Sequence, residues 1–182
     1  MDAFTWFGNL MEWFGSLIPK IKIVRATHGG VRFRGGKRIQ EMKPGIHVYW
    51  PIVTEIDVIP VARQTHNLVT QCVMTKDGKQ IVVGGVVIYS IVDVVKALSK
   101  NWDFNDTIND VSLTAIFSVI IDLTLDEVIS KINDGSFEKT LTMEVRSNLR
   151  RYGVYAHRAA LTDFSTCQTL NSVGNVTPLA RF

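Results

Sequence analysis

The longest β-type run in the chain, QIVVGGVVIYSI at residues 80–91, directly follows a short segment that contains Asp77-Gly78. Asp-Gly is a strong hairpin signal, because glycine tolerates the positive φ that tight turns require. Four shorter runs precede it, separated by glycine and proline turn formers: IKIVRA, GVRFR, IHVYW and EIDVIPV. Short strands joined by turns pair with one another, so residues 21–91 predict a mainly antiparallel sheet.

Two glycines interrupt the longest run, and helical periodicity follows it. Gly84-Gly85 indicates a bulge or the close approach of another backbone. Beyond residue 92, Thr124 and Glu127 fit a capping box that opens a short helix. A helix is predicted before that box and another after it, from their apolar stripes: Ile108, Val111, Ala115, Val119 and Leu123 in the first, then Phe137, Leu141, Val145 and Leu149 in the last. Gly153 is the expected end of the last helix, and the strand VYAHRAALTDF closes an α+β domain.

The first eighteen residues predict an amphipathic helix that ends at Pro19. Its wide apolar face contains the side chains that we expect to contact a membrane: Phe4, Trp6, Phe7, Leu10, Met11, Trp13, Phe14, Leu17 and Ile18. Aromatic rings favour the headgroup boundary, and Lys20, Lys22 and Arg25 follow where anionic headgroups would lie. The polar face of the helix is neutral to acidic, so packing against the protein's own core or a neighbouring subunit stays open as the alternative.

No uninterrupted apolar run reaches the roughly 18 residues that a bilayer-spanning helix needs. We therefore expect a monotopic protein on the cytoplasmic face of a membrane. Basic residues concentrate between residues 19 and 45, but few aromatic residues interleave with them and no nucleic-acid-binding motif is recognisable, so nucleic acid is not an expected partner. Cys72 and Cys167 form no CxxC pair and are expected to be buried thiols.

The sequence contains no recognisable catalytic or metal-binding motif. The four histidines lack HxxxH or HExxH spacing, and no GxSxG segment is present. The glycine-rich stretch before Lys37 lacks the spacing of a phosphate loop and is interpreted as a hairpin turn. Asp103, Asp106 and Asp110 are interpreted as acids at a helix start rather than as calcium ligands. No enzyme activity, cofactor or metal is therefore expected.

Four segments, in this order and spacing, resemble the SPFH family shared by stomatins, prohibitins and flotillins: GGVRFRGGKRI, KPGIHVYWPIVTEIDVIPVARQTHNL, MTKDGKQIVVGGVVIYSIVD and YGVYAHRAALTDF. The resemblance covers roughly residues 23–164 and is most similar to stomatins. It agrees with the turn chemistry, since TKDG makes a hairpin whose second strand is expected at the sheet centre.

The resemblance implies a domain of two lobes and a scaffold that oligomerises at membranes. We expect a membrane-anchor helix over residues 1–19, a β-rich lobe over 20–92, a lobe of helices and a strand over 93–164, and an irregular tail over 165–182 without the long coiled coil common in relatives. The expected function is a homo-oligomeric scaffold that organises membrane proteins or lipids. The alternative is a binding module that regulates a membrane protease or channel, by co-assembling with or capping a longer relative.

Overall fold

The computed structural model describes residues 18–100 and 103–166. These two ranges contain eight β-strands, four α-helices and one 3-10 turn, in chain order: β1 Lys20–Val24, β2 His28–Arg34, β3 Arg38–Met42, β4 Gly45–Tyr49, β5 Thr54–Pro60, β6 Gln64–Met74, β7 Gln80–Ile91, α1 Val94–Lys100, α2 Phe104–Ile121, α3 Leu125–Asn133, α4 Ser136–Leu149, the 3-10 turn Arg150–Tyr152, and β8 Val154–Thr166. This is the α+β architecture that the sequence predicts. The predicted N-terminal amphipathic helix lies outside the described residues.

In the described part of the chain the strands form three antiparallel sheets: β1 pairs with β4, β2 lies between β3 and β5, and β7 lies between β6 and β8. The expectation of a single sheet over residues 21–91 is therefore wrong. Its antiparallel character is confirmed, and so is the central position of β7. Strand β1 pairs with β4 rather than with β2, the next strand in the chain, whereas β2 pairs with β3 and β6 pairs with β7.

Strand β7 is the central strand of the β6–β7–β8 sheet, and its alternate side chains face the core. Ile81, Val83 and Val87 are completely buried. The pairing between β7 and β8 shifts register between Gly84 and Gly85, which confirms the predicted irregularity. A Cβ atom at Gly84 would lie 2.6 Å from Asp163 Oδ2 of β8, so the missing side chain makes room for that carboxylate.

Helices α2 and α4 cover one face of the β6–β7–β8 sheet and bury the main core there. The predicted apolar stripe of α4 is confirmed, since all four of its residues are buried: Phe137, Leu141, Val145 and Leu149. The chain then leaves helical geometry at Gly153, which has φ 76°. A Cβ atom there would lie 2.4 Å from the carbonyl oxygen of Asp93, so both the conformation and the available space require glycine.

Side-chain caps fix the starts of α2 and α3. Asp103 is the N-cap of α2, and its Oδ1 accepts from the N–H groups of Asn105 and Asp106 at 3.0 and 3.1 Å. The capping box between Thr124 and Glu127 is present as predicted at the start of α3. These caps satisfy backbone donors that a helix leaves unpaired at its first turn.

Asp77 ties the turn between β6 and β7 to the start of α3. Its Oδ1 accepts from Thr75 Oγ1 at 2.6 Å and from the N–H of Leu125 at 3.2 Å. The hydrogen bond from Thr75 is the main cause that lowers the pKa of Asp77 from 3.8 to about 2, with Lys79 adding to it. The hairpin residue that the sequence identifies thus also positions a helix.

Three elements were not among the predicted runs: β3, β6 and α1. Strand β6 is the most consequential, because it carries Cys72. The prediction that this cysteine is buried is wrong: Cys72 is an exposed free thiol on β6. The pairing of β6 with β7 shifts register between Leu68 and Gln71. This bulge interrupts the alternation of buried and exposed positions by which a strand is identified, and it places Cys72 on the opposite face from the one that regular alternation would give.

Candidate functional site

Strands β1 and β4 form a small sheet with one apolar face that is open to solvent. Ile21 lies across from Val48, and Ile23 lies across from Ile46. Directly paired residues of antiparallel strands point to the same side, so these four side chains form one cross-strand cluster. Each of the four is between 57% and 72% exposed. We call this cluster the β1–β4 apolar face.

Further exposed apolar residues adjoin this face in the chain. Trp50 follows β4 at the next position of the same alternation, Ile52 and Val53 lie in the turn after it, and Ile18 precedes β1. Each of these is at least half exposed. Large exposed apolar patches of this kind mark contact sites for another protein or for a membrane.

The opposite side of the same sheet is basic and polar. Lys20 pairs with Tyr49 and Lys22 pairs with His47, so alternation directs these residues away from the apolar face. Both lysines are exposed. His47 Nε2 lies 2.8 Å from the carbonyl oxygen of Lys43, which fixes the imidazole beside the strand. The sheet therefore separates an apolar side from a cationic side over a thickness of one strand layer.

The structure describes four of the twelve residues that the sequence identified as membrane-contacting or headgroup-facing. Ile18, Lys20, Lys22 and Arg25 are all exposed and lie in or beside the β1–β4 sheet. The other eight lie outside the described residues: Phe4, Trp6, Phe7, Leu10, Met11, Trp13, Phe14 and Leu17. These four residues are thus close in sequence to Ile21 and Ile23 of the apolar face.

Sequence reasoning did not identify the β1–β4 apolar face. In the sequence its residues belong to the predicted strand runs IKIVRA and IHVYW. The alternation of lysine with isoleucine in β1 is the available signal, because it predicts a strand with two unlike sides. In a water-soluble sheet the apolar side normally faces the core, and only the three-dimensional structure places it outward.

The family model described as the SPFH domain / Band 7 family matches residues 22–173, which include every strand from β2 to β8 and all four described helices. The chain belongs to the SPFH domain / Band 7 family. The resemblance carried by the four sequence segments is thereby confirmed.

Relatives of this SPFH chain include proteins of archaea. It is 31% identical over 126 residues to an uncharacterized protein of Archaeoglobus fulgidus, covering 69% of this chain and 51% of that protein. It is 30% identical over 115 residues to a stomatin homolog of Pyrococcus horikoshii, covering 63% of this chain and 43% of the homolog. A stomatin homolog of Pyrococcus abyssi matches to the same extent. The chain thus spans about half the length of the curated relatives it matches.

One Ser-His contact in the SPFH chain resembles catalytic geometry and was not found from the sequence. Ser90 Oγ lies 2.9 Å from His157 Nε2, and Arg63 Nη2 lies 3.4 Å from His157 Nδ1. A guanidinium only donates, so Nδ1 accepts and the proton of the neutral imidazole is on Nε2, which donates to Ser90. Burial is the main cause that lowers the pKa of His157, with Arg63 and Arg146 adding to it. In this tautomer the imidazole donates to the serine hydroxyl and does not accept its proton.

Within residues 18–100 and 103–166, no group of three or more histidine, cysteine or acidic side chains is arranged to hold a metal ion. No single helix in these ranges has the length and apolar composition to cross a bilayer; α2 and α3 meet that criterion only as a pair, bent by 113° where they join.

Proposed function

We propose that this chain is a membrane-surface scaffold of the SPFH type, held at a bilayer by its N-terminal segment together with the β1–β4 apolar face. The observation that carries the proposal is the exposure of Ile21, Ile23, Ile46 and Val48 on a strand pair that directly follows the aromatic segment. Family membership and the similarity to proteins named as stomatin homologs support the same role.

The energetics favour lipid as the neighbour of this surface. Fully burying one large aliphatic side chain contributes roughly 1.5–3 kcal/mol, so partial burial of the four residues of the apolar face adds several kcal/mol to the attraction. Arg25 is exposed within the same short stretch, and a basic residue near an anionic surface adds about 1 kcal/mol, whereas Lys20 and Lys22 lie on the side of the sheet that faces away from the lipid. The aromatic face over residues 1–18, as an amphipathic helix, supplies the remaining anchor.

This arrangement defines which side of the protein faces the membrane. With the β1–β4 sheet against the cytoplasmic leaflet, the β6–β7–β8 sheet and its helices remain available to other copies of the chain. We propose no catalytic residue, in keeping with a scaffold that acts by organising lipids or membrane proteins in the plane.

Vesicle flotation with the full chain tests the proposal. The double variant Ile23→Thr/Ile46→Thr keeps β-branched side chains on both strands but removes apolar surface from the β1–β4 face. Its partition onto mixed phosphatidylcholine and phosphatidylglycerol vesicles should fall about tenfold, which corresponds to a loss of about 1.4 kcal/mol. The matched control is Val69→Thr/Met74→Thr on β6, where both side chains are also exposed.

The outcomes separate the two anchors. A loss in the double variant but not in the control supports the β1–β4 face as a lipid contact. Equal flotation of the double variant and the wild type refutes that contact, and a wild-type chain that remains in the supernatant with all vesicles refutes membrane binding altogether.

A further inference from the structure

A groove lies between the second half of α4, the start of β8 and the segment before α1. Its volume is about 590 Å³. Three of its lining side chains are apolar and accessible: Val92 is 72% exposed, Met143 62% and Tyr155 41%. We call it the α4 groove.

Three cationic side chains and one acid line the α4 groove: Lys96, Arg146 and Arg150 against Asp93. Arg146 lies with its guanidinium carbon 4.6 Å from the centre of the Tyr155 ring, and its Nε donates to the carbonyl oxygen of Ala156 at 2.8 Å. Neither Arg146 nor Arg150 forms an ion pair within residues 18–100 and 103–166. Only Lys96 of the lining cations is paired, to Asp93 at 2.7 Å. The groove thus combines apolar surface with unneutralised positive charge.

A second surface has the opposite charge. At the bend between α2 and α3, four aliphatic or aromatic side chains are more than a third exposed: Phe117, Ile121, Ile129 and Ile132. Glu127 also lies in the first turn of α3, and Lys131 in its last turn is the cation of this helix. Asp122 is the C-cap of α2 and Asp126 lies in the first turn of α3, and both are exposed. In the part of the chain that the structure describes, neither carboxylate forms an ion pair. We call this surface the α2–α3 corner.

The two surfaces lie at opposite ends of strand β7. The corner adjoins the turn before β7, because the N–H of Lys76 donates to the carbonyl oxygen of Leu123 at 2.9 Å. The groove adjoins the end of β7, where the N–H groups of Val92 and Asp93 donate to the carbonyl oxygen of Gly153 at 2.9 and 3.0 Å. A strand of 12 residues spans about 36 Å between its ends.

We propose that the α4 groove of one copy receives the α2–α3 corner of the next copy. Both surfaces have exposed apolar side chains, their charges are complementary, and their positions at opposite ends of one strand direct a head-to-tail contact. A contact between two different patches of identical chains repeats from copy to copy, and it generates rings or filaments rather than a closed dimer. This inference rests on the proposed function, since it names the contact through which the scaffold self-associates.

Charge exchange between the two surfaces tests the contact on the full chain. In Arg150→Glu the groove loses a cation, and in Asp122→Lys the corner loses an acid while α2 gains a favourable charge at its C-terminal end. Sedimentation in mild detergent should show for each variant an apparent dissociation constant for self-association raised about tenfold or more. The double variant Arg150→Glu/Asp122→Lys should recover assembly, because the exchanged charges attract again. Lys37→Glu, in the turn between β2 and β3, is the control with the same charge change elsewhere.

Mixing the two single variants provides a measurement that does not depend on the double variant folding. In a mixture, each groove meets an oppositely charged corner on the other variant, so an equimolar mixture should assemble about tenfold or more tightly than either variant alone. Recovery in the mixture and in the double variant supports the groove-to-corner contact. Assembly of both single variants at wild-type affinity refutes the contact but leaves the scaffold function standing, whereas a wild-type chain that floats with vesicles yet never self-associates refutes both.

Discussion

Thr142 of α4 and Ala159 of β8 exchange two hydrogen bonds: the threonine Oγ1 accepts from the Ala159 N–H at 3.0 Å and donates to the Ala159 carbonyl oxygen at 3.2 Å. One helical turn further on, Arg146 donates to the carbonyl oxygens of Ala156 and His157 at 2.8 and 3.3 Å. Two side chains of α4 therefore form hydrogen bonds with backbone N–H and carbonyl groups on the edge of β8 that does not pair with β7. Unpaired strand edges promote pairing with other chains, and here a helix covers part of the edge.

Thr142→Val removes both hydrogen bonds to Ala159 with little change of volume. Because a threonine that bonds a partly buried backbone contributes about 1 kcal/mol per hydrogen bond, the free energy of unfolding should fall by about 1–3 kcal/mol. Urea denaturation followed by circular dichroism measures this loss. Thr140→Val is the matched control, since Thr140 Oγ1 donates only to the carbonyl oxygen of Ser136 in its own helix. Equal losses in the two variants would contradict the role assigned to Thr142.

Gly153→Ala should destabilise the fold more than Gly78→Ala. Both glycines have φ 76°, so alanine meets the same conformational penalty of about 1 kcal/mol at either position. At Gly153 the new Cβ would also lie 2.4 Å from the carbonyl oxygen of Asp93, whereas at Gly78 nothing lies within 4 Å. Thermal unfolding of the two variants should therefore differ, and indistinguishable midpoints would show that the neighbouring backbone at residue 93 moves freely.

Asp77 should make stability depend on pH in acid. Its pKa is lowered from 3.8 to about 2 in the folded chain, mainly by the hydrogen bond from Thr75. A lowered pKa means that the unfolded chain binds the proton first, so the stabilisation is complete above the unfolded value of 3.8 and is lost as the pH falls toward 2.

The comparison of wild type with Asp77→Asn checks this pH dependence. The melting temperature of the wild type should exceed that of the variant at neutral pH, and the difference should shrink between pH 3.8 and about 2. Asp57→Asn, at an exposed position of β5, serves as the control. A difference that stays constant over this range would contradict the assignment to Asp77.

Trp50 should report contact of the β1–β4 region with lipid. It is 52% exposed and follows the apolar face in the chain. A variant with Trp6, Trp13 and Trp102 replaced by phenylalanine leaves Trp50 as the single tryptophan. Transfer of its indole from water to the headgroup boundary should shift its fluorescence emission to shorter wavelength when vesicles are added. An unchanged spectrum under conditions where the variant floats would place Trp50 away from the membrane.

The sequence predicts those parts of the fold that depend on neighbours along the chain. The capping box of Thr124 and Glu127, the stop at Gly153 and the buried stripe of α4 all follow from spacings within a few residues. The Gly84-Gly85 irregularity follows from the same kind of local chemistry.

The features that the sequence did not predict depend on partners far along the chain. Nothing local to β1 indicates that Ile23 pairs with Ile46 rather than with a residue of β2. The exposure of Cys72 depends on a register shift in β6, and no glycine or proline in that strand indicates the shift. The α4 groove likewise forms where β7 ends against β8, so its lining residues come from separate parts of the sequence.

The β1–β4 pair is too small to be stable by itself, because an isolated two-stranded sheet is marginal in water. Whatever covers its apolar side must therefore stabilise the sheet as well as bind it, by the same linkage that couples any ligand to folding. A bilayer would in that case supply the missing second layer of this part of the protein. Backbone amides of Ile23 and Ile46 should exchange hydrogen with solvent faster in detergent-free buffer than on vesicles, because lipid on the apolar side stabilises the paired strands against local opening.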